Sequence, residues 1–149
     1  MVARIFLERG DQLPPDEDLR RVFERLRAGA EPADLSGECT PPLDVVETAQ
    51  GLEIVMDLPG VSVGDLTVLF VRNTLMIMGR KPPGGCDQPG AAFHLAERAF
   101  GRFARAVRVA GAFDAGRADA TLRAGELRVT LPRIDERRGA ELRITVRAD

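Results

Sequence analysis

Two stretches limit what this chain can fold into: residues 52 to 61, LEIVMDLPGV, and residues 125 to 132, GELRVTLP. Each alternates apolar and polar side chains and then stops at a proline, Pro59 followed by Gly60 in the first and Pro132 in the second. Successive side chains of a strand point to opposite faces. Leu52, Ile54 and Met56 therefore line one face and Glu53, Val55 and Asp57 the other. In the second stretch Leu127, Val129 and Leu131 make the apolar row, and Glu126, Arg128 and Thr130 the polar one. A strand that is apolar on one face must bury that face against a second layer, which predicts an all-β sandwich.

The period of two holds from Leu43 onward. LDVVET and LEIVMDL are separated by Ala49, Gln50 and Gly51, a hairpin signal. After the Pro59, Gly60 turn, LTVLFVR puts Leu66, Val68 and Phe70 on one face, and Asn73 turns the chain into TLMIMG. Both faces of these two strands are apolar, which fits either a central position or a groove awaiting another strand. Residues 80 to 92, RKPPGGCDQPGAA, form a long Pro- and Gly-rich loop. A loop of this length inside a domain has a task or lacks order. A strand from Phe100 to Val109 follows, carrying Arg102, Arg105 and Arg108. ADATLR and ELRVTLP close the pattern as a hairpin turning at Ala124 and Gly125, with Ala120 and Leu122 facing inward.

The stretch from Pro42 to Pro132, about two-thirds of the chain, resembles the α-crystallin domain of small heat-shock proteins. The resemblance rests on four pieces in the family's order: Asp57, Leu58, Pro59, Gly60 and Val61; Leu75, Ile77 and Gly79 of L-x-I-x-G; Glu97, Arg98, Gly101, Phe103 and Arg105 of E-R-x-x-G-x-F-x-R; and Gly125, Leu127 and Pro132 of the last strand. The pattern is departed from in two places. Glu126 stands where Val is usual, and Val109 and Ala110 stand where L-P is expected. The resemblance implies an immunoglobulin-like antiparallel β-sandwich. It also implies a dimer made by a strand swapped from the long loop, here near Phe93, His94 and Leu95, with Arg105 and Arg108 facing acids of the partner subunit. As a run of charge, the same arginines would simply solvate one face.

The flanks read differently. Residues 1 to 40 form an arm, 41 to 132 the sandwich and 133 to 149 a tail. In the arm, Ile5, Phe6 and Leu7 cluster, and DEDLRRVFERLRAG places Leu19, Val22, Phe23 and Leu26 at helical spacing. Asp16, Glu17 and Asp18 at its start and Arg25 and Arg27 near its end suit the helix dipole. An isolated helix of about three turns is marginal in water, so its apolar face needs a partner. The chain's own domain, other subunits and client proteins are all open to it. Residues 28 to 42 read as a linker. In the tail, Leu142, Ile144 and Val146 alternate with charged and polar residues; Ile144 and Val146 resemble the family's terminal I-x-I/V motif. The resemblance implies that this motif docks on a neighbouring subunit, in a groove formed here by Leu66, Val68, Phe70, Ala120 and Leu122.

Chemistry finds little to hold. His94 is the one histidine, Cys39 and Cys86 are isolated from it, and Gly84 and Gly85 lack the Lys and Ser/Thr of a phosphate loop. No enzyme activity, cofactor or metal is expected. A formal charge of -2 and the absence of Trp and Tyr argue against nucleic-acid binding. A chain of 149 residues suffices for one domain. With no signal-peptide or membrane-spanning run, a cytoplasmic protein with reduced thiols is expected, a Cys39 to Cys86 or intersubunit disulfide staying open.

The expected function is that of an ATP-independent holding chaperone, a homo-oligomer built from dimers. Its client surfaces would be Ile5, Phe6, Leu7, Leu19, Val22, Phe23 and Leu26, together with the groove. The alternative is an adaptor or co-chaperone of the CS-domain kind, acting as a monomer or dimer. A membrane-surface role is the weakest reading, because the polar face of the arm helix mixes acids with arginine.

Overall fold

The structure, a computed structural model, describes residues 5–7, 21, 24, 38–71, 73–85 and 88–134. Its strands are β1 (Ile5–Leu7), β2 (Leu43–Glu47), β3 (Gly51–Asp57), β4 (Leu66–Val71), β5 (Thr74–Lys81), β6 (Gly101–Arg108), β7 (Asp119–Arg123) and β8 (Glu126–Pro132). They form two four-stranded sheets, ordered β1-β4-β5-β6 and β2-β3-β8-β7. All pairings are antiparallel except β1 on β4, which is parallel.

The core lies between the sheets and is filled by the rows that the alternation marks. Leu52, Ile54 and Met56 of β3 and Leu127, Val129 and Leu131 of β8 meet Leu66, Val68, Leu75, Ile77 and Phe103 of the other sheet. Ile54, Met56, Val68, Leu75, Ile77, Ala120, Leu127 and Val129 are fully buried. At about 25 cal/mol per Å² of apolar surface removed from water, this layer is the main source of the domain's stability.

The family-like pieces have local physical reasons. Gly60 has φ 80°, and the Val61 N–H donates to the Leu58 carbonyl at 3.2 Å, so Leu58 to Val61 form the tight turn that Pro-Gly favours. Leu58 is fully buried and its N–H donates to the Gly125 carbonyl at 2.6 Å, tying this turn to the β7–β8 hairpin. Gly79 lies where a Cβ would run into the Asp65 carbonyl oxygen and the Phe103 ring, so L-x-I-x-G ends in the residue that has none. Asn73 (φ 62°) and Ala124 (φ 51°) turn the two hairpins in left-handed conformations.

The departures are absorbed. Val109 is buried and its N–H donates to the Asn73 carbonyl at 2.7 Å, extending the sheet by one bond beyond β6. Glu126 stands on the outer row of β8, where Arg128 Nη2 donates to it at 2.8 Å; Arg128 also pairs with Glu53 across the sheet. Those two carboxylates hold the Arg128 guanidinium charged and raise its pKa, Glu126 contributing most. The outer face of β3 and β8 is thus a charged ladder in water.

The sandwich also reaches past the repeating pattern. The N–H groups of Glu38 and Cys39 donate to the Arg102 carbonyl at 2.7 and 3.2 Å, and Glu38 Oε2 accepts from the Arg102 N–H at 2.6 Å. Phe113 bridges to Arg133, whose guanidinium lies 5.7 Å above the Phe113 ring centroid. Arg21 and Glu24 have helical backbone and are exposed, within the segment expected to be helical.

Candidate interaction surfaces

The five groove residues belong to one apolar cluster. Leu66, Val68 and Ala120 are buried within it and Phe70 and Leu122 pack against it half-buried. They come together because β4 lies towards one margin of its sheet and β7 at the margin of the other. The outer edge of β4 is occupied by the chain itself. Ile5 stands opposite Val68, Phe6 opposite Leu69 and Leu7 opposite Phe70 in parallel register. Alternation over three residues is too short to declare a strand, and Ile5, Phe6 and Leu7 read only as an apolar cluster. The missed signal is spacing: Ile5 and Leu7 flank one residue just as Ile144 and Val146 do.

The expected dimer surface lies at the opposite margin. β6 is the last strand of its sheet. The loop before it, residues 88 to 100, has no strand within the chain. Phe93 and Leu95 stand 72% and 74% exposed on this loop, with His94 exposed between them. Arg108 is exposed; Arg105 is half-buried, and its Nη1 donates to the Pro41 carbonyl at 2.5 Å. The same arginine thus fastens the segment ahead of β2 to β6. Leu19, Val22, Phe23 and Leu26 of the arm, Cys86, and Ile144 and Val146 of the tail lie outside the described residues.

Among the described residues no reactive centre is assembled. Cys39 is buried, and its thiol lies 3.5 Å from the Gly101 carbonyl oxygen, to which it donates. Burial pushes the thiol pKa up, Lys81 partly offsetting the shift, which disfavours the thiolate that nucleophilic chemistry requires. Among the described residues no group of three or more His, Cys, Asp and Glu could hold a metal ion. None of the described helices is long and apolar enough to cross a membrane.

A two-sheet sandwich whose turns, glycines and hairpins carry these motifs is an α-crystallin-type domain. The chain belongs to the Hsp20/alpha crystallin family, whose family model matches residues 44–147. It is 35% identical over 109 residues to the 21.9 kDa heat shock protein of Oryza sativa subsp. japonica, covering 68% of this chain and 53% of that protein. It is 30% identical over 103 residues to heat shock protein 16 of Schizosaccharomyces pombe, covering 68% of this chain and 72% of that protein. The chain spans about half the length of the rice relative. Among solved structures it resembles a small heat-shock protein from Xylella fastidiosa, with TM-score 0.63 and 26% identity over 74% of this chain and 99% of that one. Heat shock protein 16.0 from Schizosaccharomyces pombe gives TM-score 0.61 at 26% identity, covering 75% of this chain and all of the other.

Proposed function

We propose that this protein is an ATP-independent holding chaperone that binds partly unfolded proteins as a homo-oligomer built from dimers. The observation that carries the reading is the loop ahead of β6, the last strand of its sheet, which leaves Phe93 and Leu95 largely exposed to water. Two large apolar side chains so placed favour a partner subunit, and a strand from this loop would pair with that partner's sheet. Membership of a family of heat-shock proteins supports the chaperone role. The high-order structure reported for the Xylella fastidiosa protein supports assembly.

The mechanism needs no nucleotide. Reversible contacts between subunits open on heating, apolar surface becomes available, and a client that buries its own apolar surface there is withheld from aggregation. Residues 1 to 40 would act as arm and 133 to 149 as tail around the 41 to 132 sandwich. Client contacts fall to Ile5, Phe6, Leu7, Leu19, Val22, Phe23 and Leu26 and to the groove of Leu66, Val68, Phe70, Ala120 and Leu122. Ile144 and Val146 would seat in the same groove on a neighbour, while Phe93, His94, Leu95, Arg105 and Arg108 line the dimer contact. A cytoplasmic setting suits the protonated, buried Cys39 thiol.

Truncation tests the assembly part of this reading. Removing residues 141 to 149 should lower the native mass measured by light scattering. An unchanged mass would refute tail docking.

A further inference from the structure

β6 is the last strand of its sheet, so its outer edge carries backbone N–H and carbonyl groups that β5 does not use. An edge of this kind is a template on which another chain can add a strand. Here the beginning of that edge is taken by the same chain, through the segment Glu38 to Pro41 that leads into β2.

Glu38 satisfies Arg102 unaided. Its N–H donates to the Arg102 carbonyl at 2.7 Å, and its Oε2 accepts from the Arg102 N–H at 2.6 Å. A neighbouring strand would meet Arg102 with an N–H and a carbonyl; Glu38 meets it with an N–H and a carboxylate. The Glu38 Oε1 also lies 3.7 Å from the Arg102 guanidinium, but both side chains are exposed and this ion pair adds little. The Cys39 N–H donates to the same carbonyl at 3.2 Å, and the Cys39 thiol to the Gly101 carbonyl at 3.5 Å. Gly101, with φ 106°, leaves room for this, since a Cβ there would meet the Glu38 side chain. Arg105 Nη1 then holds the Pro41 carbonyl, and the Pro42 carbonyl accepts from the Asp57 N–H at 3.2 Å. The segment is thereby fastened to β6 of one sheet and β3 of the other.

Two further features blunt this edge. Pro41 and Pro42 have no N–H, so the segment cannot itself present a ladder to a further strand. Arg105 stands opposite the fully buried Ile77, on the inward row of an end strand, where a charge opposes edge pairing. Further along, alternation assigns the outward backbone groups to Ala104 and Ala106, and among the described residues none bonds them on that side.

We infer that Glu38 to Pro41 is a guard on the β6 edge: in place, it keeps β6 from adding a strand of a second copy, and when it lifts, β6 pairs antiparallel with the β6 of that copy. The guard stands on its own bonds. The choice of occupant rests on the dimer contact proposed above: the loop that carries Phe93 and Leu95 runs into β6 at Gly101, so a subunit held by that loop stands beside this edge. An antiparallel pair of identical strands is self-complementary about a two-fold axis, which a second copy alone provides.

Amide hydrogen exchange of the full-length protein, read residue by residue at low and high concentration with the native mass measured alongside, tests this. In the wild type the Cys39 and Arg102 amides should be protected, and exchange at Ala104 and Ala106 should not depend on concentration. Glu38→Pro removes the N–H and the carboxylate together. Cys39 and Arg102 should then exchange roughly ten-fold faster, and Ala104 and Ala106 should slow roughly ten-fold as concentration rises. Glu38→Gln keeps a donor and an acceptor and should behave as the wild type. Unchanged protection of the β3 and β8 amides shows that the sandwich of each variant is intact. Unprotected Cys39 and Arg102 amides in the wild type, or protection that survives Glu38→Pro, would overturn the guard. Slowing of Ala104 and Ala106 with concentration already in the wild type, or its absence in Glu38→Pro, would overturn the edge it is said to cover. Glu38→Gln behaving as Glu38→Pro would overturn the strand-like role of Glu38. A wild-type mass of one chain at every concentration would overturn the dimer reading, while protected Cys39 and Arg102 amides would still uphold the guard's bonds.

Discussion

Ile5 lies in parallel register opposite Val68, so the strand edge that a neighbour's tail would use is taken by the chain's own N-terminal end. Ile5-Phe6-Leu7 and Ile144-Thr145-Val146 offer the same spacing of apolar side chains. A three-residue strand holds its edge weakly, since few bonds offset the ordering of its backbone. If the tail docks as proposed, the two segments would compete for β4, and the one at Ile5–Leu7 would have the advantage of being tethered.

The competition has a kinetic signature. I5D/L7D should leave the edge to the tail and slow subunit exchange between separately labelled populations several-fold, followed by energy transfer. Exchange that is unchanged or faster would contradict it.

Gly79→Ala tests the reason for the glycine of L-x-I-x-G. A methyl group there meets the Asp65 carbonyl and the Phe103 ring, both fixed in the sandwich. Overpacking of this kind costs about 1–3 kcal/mol, and a backbone atom cannot yield cheaply. A loss of about 2–3 kcal/mol in urea unfolding is expected.

Ala124 is strained in the opposite sense. Its φ of 51° is a conformation that costs a non-glycine residue roughly 1–2 kcal/mol, and Asn tolerates it better. Ala124→Asn, giving Asn-Gly at the hairpin, should raise stability by about 0.5–1 kcal/mol in the same urea titration.

Cys39 predicts a pH dependence. Its folded pKa is raised by burial, so the folded state favours the neutral thiol. The contribution is fully present below the unfolded thiol's ordinary pKa and is lost as the pH rises from there through the raised folded value. Urea midpoints of the wild type should therefore fall more steeply in the alkaline range than those of Cys39→Ala. Parallel curves would contradict this.

Most of the sandwich was legible because its strands are amphipathic. Leu52, Ile54 and Met56, or Leu127, Val129 and Leu131, announce a buried row by alternation alone, and Asn73 and Ala124-Gly125 mark the turns. Where both faces are apolar, alternation carries no information. Leu69, Val71, Met76 and Met78 therefore revealed two apolar faces without revealing what each one meets. β1 was illegible because its partner lies some sixty residues away and nothing local declares it. The bond from Arg105 to the Pro41 carbonyl depends on a chain crossing that no local pattern encodes.

Holding activity is measured by following a heat-labile client's aggregation by light scattering without nucleotide, with the native mass of this protein determined in the same samples before and after heating. A large assembly of many subunits that suppresses aggregation in proportion to its concentration is the predicted result. A stable monomer or dimer that leaves aggregation unchanged would contradict the account.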